Sequence, residues 1–244
     1  MSAAKADQIL IDRPARGVVR VTLSHPGRMN SLTEAIVLGL PAVIEDAGKD
    51  PAVSAVVLTG DGDAFSSGAD FDLLRDRPPD RLMLDAAFRV LDVIRDAPVP
   101  VIAAIDGPAV GGGWGIALGC DIRYASPRSI FIATFIEMDL IPDYGLTENL
   151  PRLAGPDVAL EICLSGRPLA AQQAQERHLV TRVTETPLDD AISFGTTLAT
   201  RSRDAIARTK ALLRHGGHRA EAVAQAELLR APAFGQRLDR WRNR

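Results

Sequence analysis

The sequence lacks the features that mark exported and disulfide-linked proteins. It holds only two cysteines among 244 residues, Cys120 and Cys163, which is too few for a disulfide framework. Both cysteines stand in apolar stretches, as buried and reduced thiols do. The first fourteen residues contain no apolar core of a signal peptide. We therefore expect a cytoplasmic protein that is not exported.

Long uninterrupted apolar runs are also lacking, and neither sign of charge dominates. The best candidate for a membrane span, residues 98–120, contains Pro100, Asp106, Pro108 and six glycines, which do not suit a helix in lipid. The chain carries 28 Lys and Arg against 31 Asp and Glu, a net charge of −3. No strong field attracts nucleic acid or an anionic membrane, so we expect neither as a partner.

Metal-ligand patterns, short-period repeats and low-complexity linkers are lacking as well. The four histidines are scattered, and no pair of them stands in a metal-ligand context. We therefore expect no bound metal. The composition, 46% apolar and 24% charged, is that of an ordinary globular protein with enough length for a substantial core.

Strand and helix patterns alternate over roughly the first 155 residues. Strands are predicted over residues 18–24, 53–59, 101–105, 121–125 and 129–134, and helices over residues 32–47 and 81–95. The strand VIAAI at 101–105 is apolar on both faces, which predicts a central position in a parallel sheet. Later helices are predicted over residues 156–164, 170–177, 187–201, 202–215 and 219–230. This order predicts an α/β domain followed by a helical appendage.

Three glycines in a row stand in the stretch AVGGGWGIALGC at residues 109–120, between a predicted strand and a predicted helix. Such a run can cradle a phosphate, allow close packing of the helix, or present bare backbone N–H groups to a substrate oxygen. The spacing matches neither G-x-G-x-x-G nor the P-loop pattern, which disfavours phosphate binding. Close packing and N–H presentation both stay open.

Another loop, earlier in the chain, favours the presentation of backbone N–H groups. The stretch AFSSGAD at residues 64–70 also follows a predicted strand and places small residues before a further segment. Two strand-to-helix loops of this kind can form an oxyanion hole, because N–H groups at helix N-termini stabilise developing negative charge. The charge would develop on a thioester carbonyl that becomes an enolate.

With these loops the chain resembles the crotonase superfamily, the enoyl-CoA hydratases and isomerases. The resemblance covers nearly the whole length. It is carried by the stretches HPGRMNSL, AFSSGADFDLL, PVIAAIDGPAVGGGWGIALGCDIRYAS, LIPDYGLTENLPRLAG and SGRPLAAQQAQERHLV.

The resemblance implies a fold, an assembly and a substrate. The fold is an α/β, crotonase-like spiral of ββα units over residues 1–190, with a C-terminal helical trimerisation region over residues 191–244. The assembly is a homotrimer or a dimer of trimers. The substrate is an acyl-CoA thioester, which carries its own CoA, so no further cofactor is expected.

The resemblance also implies site residues. The oxyanion donors would be the backbone amides of Ala69 and Gly112. The residues implied to line the CoA and acyl groups are Arg28, Met29, Ser31, Ser67, Asp70, Phe71, Gly111, Trp114 and Phe135. Three of these have a purely structural alternative: Arg28 as a solvated surface cation, Asp70 as a carboxylate that fixes its loop, and Trp114 as a core residue.

The chain departs from the hydratase pattern at the two positions where hydratases of the superfamily carry glutamates. These positions hold Gly115 and Phe135. Neither side chain can carry a proton, and adding water to a double bond needs a group that does. Ordinary hydratase activity is therefore not expected.

Asp143 in LIPDYG stands where isomerases of the superfamily carry an aspartate. One carboxylate is enough to shift a double bond, since it can take a proton from one carbon and return it to another. A neighbouring Phe135 would raise its pKa by desolvation. Two other roles stay open: Asp143 could cap a helix over residues 144–153, and Glu137 or Glu148 could assist the chemistry.

We therefore predict an enoyl-CoA double-bond isomerase that uses Asp143. The alternatives are an enoyl-CoA hydratase or another crotonase-type reaction, and an acyl-CoA-binding subunit without catalysis. An Asp143 carboxylate that caps a helix would favour the binder.

Overall fold

The computed structural model describes residues 8–242. Its strands, in chain order, are β1 (Gln8–Ala15), β2 (Val18–Ser24), β3 (Ala55–Gly60), β4 (Val101–Ile105), β5 (Pro108–Val110), β6 (Ile122–Ala125), β7 (Ile130–Ile132), β8 (Leu169–Ala170) and β9 (Arg182–Val183). The main sheet has the order β1-β2-β3-β4-β6-β9. β1 and β2 are antiparallel, and every other neighbouring pair in this sheet is parallel. β5, β7 and β8 form a second, smaller sheet.

The strand β4 occupies the middle of the parallel part, between β3 and β6. All five of its residues are buried, because helices cover both faces of the sheet at this point. The prediction made from its two apolar faces is therefore confirmed.

The helices, in chain order, are α1 (Glu34–Lys49), α2 (Phe71–Asp76), α3 (Arg81–Asp96), α4 (Gly112–Gly119), α5 (Leu146–Ala154), α6 (Pro156–Ser165), α7 (Ala171–Glu176), α8 (Pro187–Leu198), α9 (Arg203–His215), α10 (His218–Arg230) and α11 (Pro232–Arg242). A short 3-10 helix, Thr134–Met138, follows β7. Side-chain oxygens of Thr33, Asp80 and Ser202 accept backbone N–H bonds at the starts of α1, α3 and α9. Such caps satisfy amides that have no partner inside the helix.

The core lies on both faces of the main sheet. α1, α3 and α4 bury their apolar sides in one continuous cluster against the sheet. α8 packs on the opposite face, where it contacts β3, β4 and β6. This three-layer arrangement confirms the predicted mixed α/β class.

Several predicted elements needed correction. The predicted strand over residues 129–134 is too long, because β7 ends at Ile132 and the chain turns into the 3-10 helix at Thr134. β1, α2 and α11 were not predicted. α2 is six residues long and has no buried residue, so it has no apolar stripe that a sequence pattern could reveal.

The helix α9 is fixed to the sheet by a buried cation. The ammonium group of Lys210 lies 2.8 Å from the Asp121 carboxylate and donates to the backbone oxygens of Ile94 and Val99 at 2.7 and 3.0 Å. Arg214 also donates to Asp121, at 2.7 Å.

The predicted boundary between residues 190 and 191 falls within α8, and the division into two regions stays a prediction.

Over residues 8–242, no helix is both long and apolar enough to cross a membrane. The same residues contain no group of three or more His, Cys, Asp or Glu side chains placed to hold a metal ion.

Candidate active site

The two predicted loops run side by side at the carboxyl ends of β3 and β4. The first loop is residues 64–70, after β3, and the second loop is residues 106–112, after β4. The amide of Val110 donates to the backbone oxygen of Ser66 at 2.9 Å, and the amide of Phe65 donates to Pro108 at 3.0 Å. Gly68, at φ +85°, approaches so closely that an added Cβ would lie 2.7 Å from the Val110 oxygen. Only glycine suits both the left-handed backbone and this approach.

The amides of Ala69 and Gly112, the predicted donors, are available in the part of the chain that the structure describes. Gly112 is the first residue of α4, and its predecessor Gly111 has no side chain that could cap the helix. Within residues 8–242, neither amide donates a backbone hydrogen bond. The two loops are in contact at the residues that precede these amides, Gly68 and Gly111. A Cβ on Gly68 would lie 3.6 Å from the Gly111 Cα. This contact brings the two loops together beside the start of α4, and the role of the two amides as oxyanion donors stays a prediction.

A network of polar side chains holds the first loop. The Ser31 hydroxyl donates to Asp70 at 2.9 Å and lies 2.7 Å from Nδ1 of His25. Asp70 in turn accepts from the amides of Asp72 and Leu73 at the start of α2, at 3.0 and 3.1 Å. The side chains of Ser31 and Asp70 are therefore committed to fixing the loop. The implied contact of these two side chains with CoA gains no support from their geometry.

The electrostatics of Asp70 agree with a structural role. Burial alone would raise the pKa of this carboxyl, but hydrogen bonds from the Leu73 amide and the Ser31 hydroxyl bring it below its ordinary value of 3.8. A carboxylate held in its charged form by several donors is a poor base.

The rim of the first loop is exposed and mixes apolar and cationic groups. Met29 and Phe71 are 60% and 64% exposed, and Arg28 pairs with Asp72 at 2.8 Å on the surface. Ser67 donates to the backbone oxygen of Arg28 at 2.9 Å. An exposed ion pair contributes little to stability, so Arg28 can exchange Asp72 for a phosphate of CoA at little cost. Contact of this rim with CoA stays a prediction.

Phe135 and Trp114 are buried near the second loop. A Cβ on Gly111 would lie 3.6 Å from Cζ of Phe135, which places that ring beside the loop. Trp114 faces the core from α4, 1% exposed, with its ring centroid 5.7 Å from that of Phe131. The structure thus supports the core alternative for Trp114.

Asp143 does not cap a helix. α5 begins at Leu146, and its N-cap residue is Gly145, which has no side chain. Instead, the Oδ1 atom of Asp143 is buried and has no hydrogen-bond partner within residues 8–242. Desolvation by burial raises the pKa of this carboxyl from 3.8 to about 7. A half-buried carboxyl with one enclosed, unpartnered oxygen and a pKa near neutrality can both take and return a proton.

The other candidate acids are placed less favourably. Glu137 is exposed, and its carboxylate lies against Gly166, 3.0 Å from where a Cβ on that glycine would stand. Glu148 is exposed on α5. Neither shares the burial of Asp143, so an assisting role for either gains no support from these positions.

Gly115, the first of the two hydratase positions, is closed to a side chain. A Cβ there would lie 2.5 Å from Cβ and 2.6 Å from the backbone oxygen of Tyr144. The ring of Tyr144 also covers Gly112. Tyr144 was not among the predicted site residues, although glycines three residues apart on one helix indicate that another segment packs closely on that face.

Comparison with known proteins shows the family to which the chain is similar. The family described as "Enoyl-CoA hydratase/isomerase" matches residues 13–233. The chain is 38% identical over 219 residues to a protein named "Probable enoyl-CoA hydratase echA12" from Mycobacterium leprae, covering 85% of this chain and 74% of that protein. It is 31% identical to a mitochondrial enoyl-CoA hydratase from Pongo abelii, covering 86% of this chain and 73% of that protein. The crystal structure of an enoyl-CoA hydratase from Bacillus anthracis superimposes with a TM-score of 0.89, at 28% identity and 96% coverage of both chains.

Proposed function

The chain belongs to the enoyl-CoA hydratase/isomerase family, and on that basis we propose that it shifts the double bond of an unsaturated acyl-CoA thioester, with Asp143 as the proton carrier. Family membership accounts for the acyl-CoA substrate. The choice of isomerisation is supported by the residues of this chain that can move a proton.

The reaction would proceed through an enolate held by two backbone amides. The thioester oxygen of a 3-enoyl-CoA accepts hydrogen bonds from the N–H groups of Ala69 and Gly112. The Asp143 carboxylate takes a proton from C2, and the electron pair moves toward the thioester oxygen to give a dienolate. The same carboxyl then returns the proton to C4, which leaves the double bond between C2 and C3. The shift is redox-neutral and needs no resident cofactor.

The observation that carries this proposal is the buried, unpartnered Oδ1 atom of Asp143, a residue that is half-buried as a whole. Leaving a buried carboxyl oxygen without a partner is costly. In a packed protein such a cost indicates a group kept for chemistry, and the pKa of about 7 suits a proton carrier at neutral pH.

Binding of a CoA thioester tests the acyl-CoA part of the proposal. Butanoyl-CoA is saturated and cannot be isomerised, so its binding can be measured by titration calorimetry without turnover. The dissociation constant should be on the order of micromolar, which corresponds to a binding free energy of about −8 kcal/mol. The absence of heat and of competition at millimolar ligand would overturn the proposal. Binding without turnover of any 3-enoyl-CoA would instead favour an acyl-CoA-binding subunit.

Hydratase activity is the second candidate, because relatives of this chain are named enoyl-CoA hydratases. We nevertheless expect little addition of water to crotonyl-CoA. Gly115 and Phe135 provide no proton carrier, and each such group typically accelerates a reaction by about 10²–10⁴-fold. The assay follows the loss of enoyl absorbance. Turnover at the rate of the isomerisation would show that another group, such as Glu137, supplies the missing proton carrier and would make hydratase the better assignment.

We also propose that the protein assembles as a homotrimer or a dimer of trimers. Large apolar side chains are exposed on the last three helices, among them Leu213 at 83% and Val223 at 61%. Exposed apolar surface of this kind marks protein–protein contact. Light scattering at micromolar concentration should give a mass of three or six chains of 26.1 kDa. A monomer mass would contradict this expectation.

A further inference from the structure

Tyr144, which follows Asp143, adopts a backbone conformation that large side chains avoid. Its φ is +45°, in the left-handed region that favours glycine and, among other residues, asparagine. A bulky residue in this region is strained and persists only where its surroundings hold it there. Such a position points to a role for the side chain itself.

The ring of Tyr144 lies against Gly112, one of the two proposed oxyanion donors. A Cβ on Gly112 would stand 2.6 Å from Cδ2 and 2.8 Å from Cε2 of the ring, and 3.3 Å from Cδ1 of Leu32. The ring also meets Phe88 edge to face, with centroids 4.8 Å apart. Tyr144 therefore lies between the start of α4 and α3.

The hydroxyl group shows that this ring does not belong to a sealed core. Tyr144 is 7% exposed, and its hydroxyl has no hydrogen-bond partner within residues 8–242, yet it is not among the fully enclosed polar atoms. A buried tyrosine normally finds a partner for its hydroxyl. The hydroxyl at the end of the ring thus reaches a space that residues 8–242 leave accessible.

The acyl chain of the proposed substrate has to pass this ring. Its first carbon is held at the amide of Gly112, and its next carbons must reach the carboxyl of Asp143. Tyr144 follows Asp143 in the chain and contacts Gly112, so it adjoins both ends of this path. A chain that extends further meets the ring and, behind it, Phe88.

We infer that Tyr144 determines the acyl specificity of the site and restricts it to short-chain acyl-CoA thioesters. This inference rests on the proposed function, since it assumes that the thioester oxygen binds at Gly112. It makes Tyr144 a specificity-determining residue, not a proton carrier. Removing the ring opens the path to longer chains.

The test compares the binding of two saturated thioesters, butanoyl-CoA and dodecanoyl-CoA, by calorimetry below the micelle concentration of the longer one. Tyr144→Gly removes the ring and suits the left-handed backbone. Tyr144→Asn provides a second small residue that tolerates this conformation, in case the glycine variant does not fold. Tyr144→Phe is the matched control, because it keeps the ring. Circular dichroism checks the fold of each variant.

We expect the wild type and Tyr144→Phe to bind dodecanoyl-CoA no more tightly than butanoyl-CoA. In Tyr144→Gly and Tyr144→Asn, the affinity for dodecanoyl-CoA relative to that for butanoyl-CoA should rise by about 10-fold or more. Added methylenes in an apolar pocket change the relative affinity for two ligands by at least this much. An equal ratio in all four proteins would overturn the inference, and so would a wild type that already prefers dodecanoyl-CoA. A wild type that binds neither thioester would overturn the proposed function itself.

Discussion

Replacement of Asp143 by asparagine is expected to lower the rate of 3-enoyl-CoA isomerisation by about 100-fold or more. Asparagine has nearly the same shape but cannot accept and return a proton, and a positioned acid–base group contributes roughly 10²–10⁴-fold. The loss should appear in kcat, because the variant keeps the amides of Ala69 and Gly112 that hold the thioester. The measurement is steady-state isomerisation followed by the absorbance of the conjugated product.

A matched control is available four residues upstream. Asp139 is exposed and has φ +55°, a conformation that asparagine tolerates. Asp139→Asn makes the same change of charge outside the site and should leave the rate unchanged. An Asp143→Asn variant that isomerises as fast as the wild type would contradict the assignment, and Glu137→Gln would then be the next variant to measure.

The same substitution is expected to stabilise the protein at neutral and alkaline pH. The pKa of Asp143 stands at about 7 in the folded protein, above its ordinary value of 3.8. The folded state therefore holds this proton more tightly than the unfolded state does. The contribution of Asp143 to the free energy of unfolding is greatest below about pH 4, falls as the pH rises toward 7, and is constant above that.

The expected size of this effect follows from the two pKa values. Each pKa unit corresponds to about 1.4 kcal/mol, so charging the buried carboxyl costs on the order of 4 kcal/mol. Between pH 4 and pH 8, Asp143→Asn should gain a few kcal/mol in unfolding free energy relative to the wild type.

Urea unfolding of both proteins across this range measures the difference, with Asp139→Asn as the control. A difference between Asp143→Asn and wild type that does not change with pH would show that the carboxyl is not buried in its charged form. The statement that burial raises the pKa of Asp143 would then be wrong.

The architecture of the main sheet could be predicted because its signals are local. The strand at 101–105 is apolar on both faces, and that pattern has few explanations other than a covered parallel strand. β1 was not predicted because it is an edge strand whose residues are mostly exposed. Pairing with β2 holds it in place, and pairing of this kind leaves little trace in the hydrophobic pattern.

The candidate site was only partly predictable. The glycines at 111–113 and Ala69 indicated bare backbone, and the structure brings the two loops together. For Asp143 the sequence allowed both a helix cap and a base. The cap was wrong because α5 begins three residues later, at Leu146, and no local pattern fixes a helix start to that accuracy.

Tyr144 could not have been predicted from local patterns, because a positive φ at a tyrosine depends on tertiary contacts. Its neighbours Asp143 and Gly145 suggested an ordinary turn. The contacts with Gly112 and Gly115 arise between segments about thirty residues apart. They appear only when the loop after the 3-10 helix packs on α4.

Exchange of substrate hydrogens with solvent tests the central claim most directly, namely that Asp143 moves a proton on an acyl-CoA held at Ala69 and Gly112. The purified protein is incubated with a 3-enoyl-CoA in deuterium oxide, and the recovered thioester is examined by mass spectrometry and NMR. The account predicts deuterium at C2 or C4 with the wild type and with Asp139→Asn, and none above background with Asp143→Asn. Equal incorporation by Asp143→Asn and the wild type would contradict it.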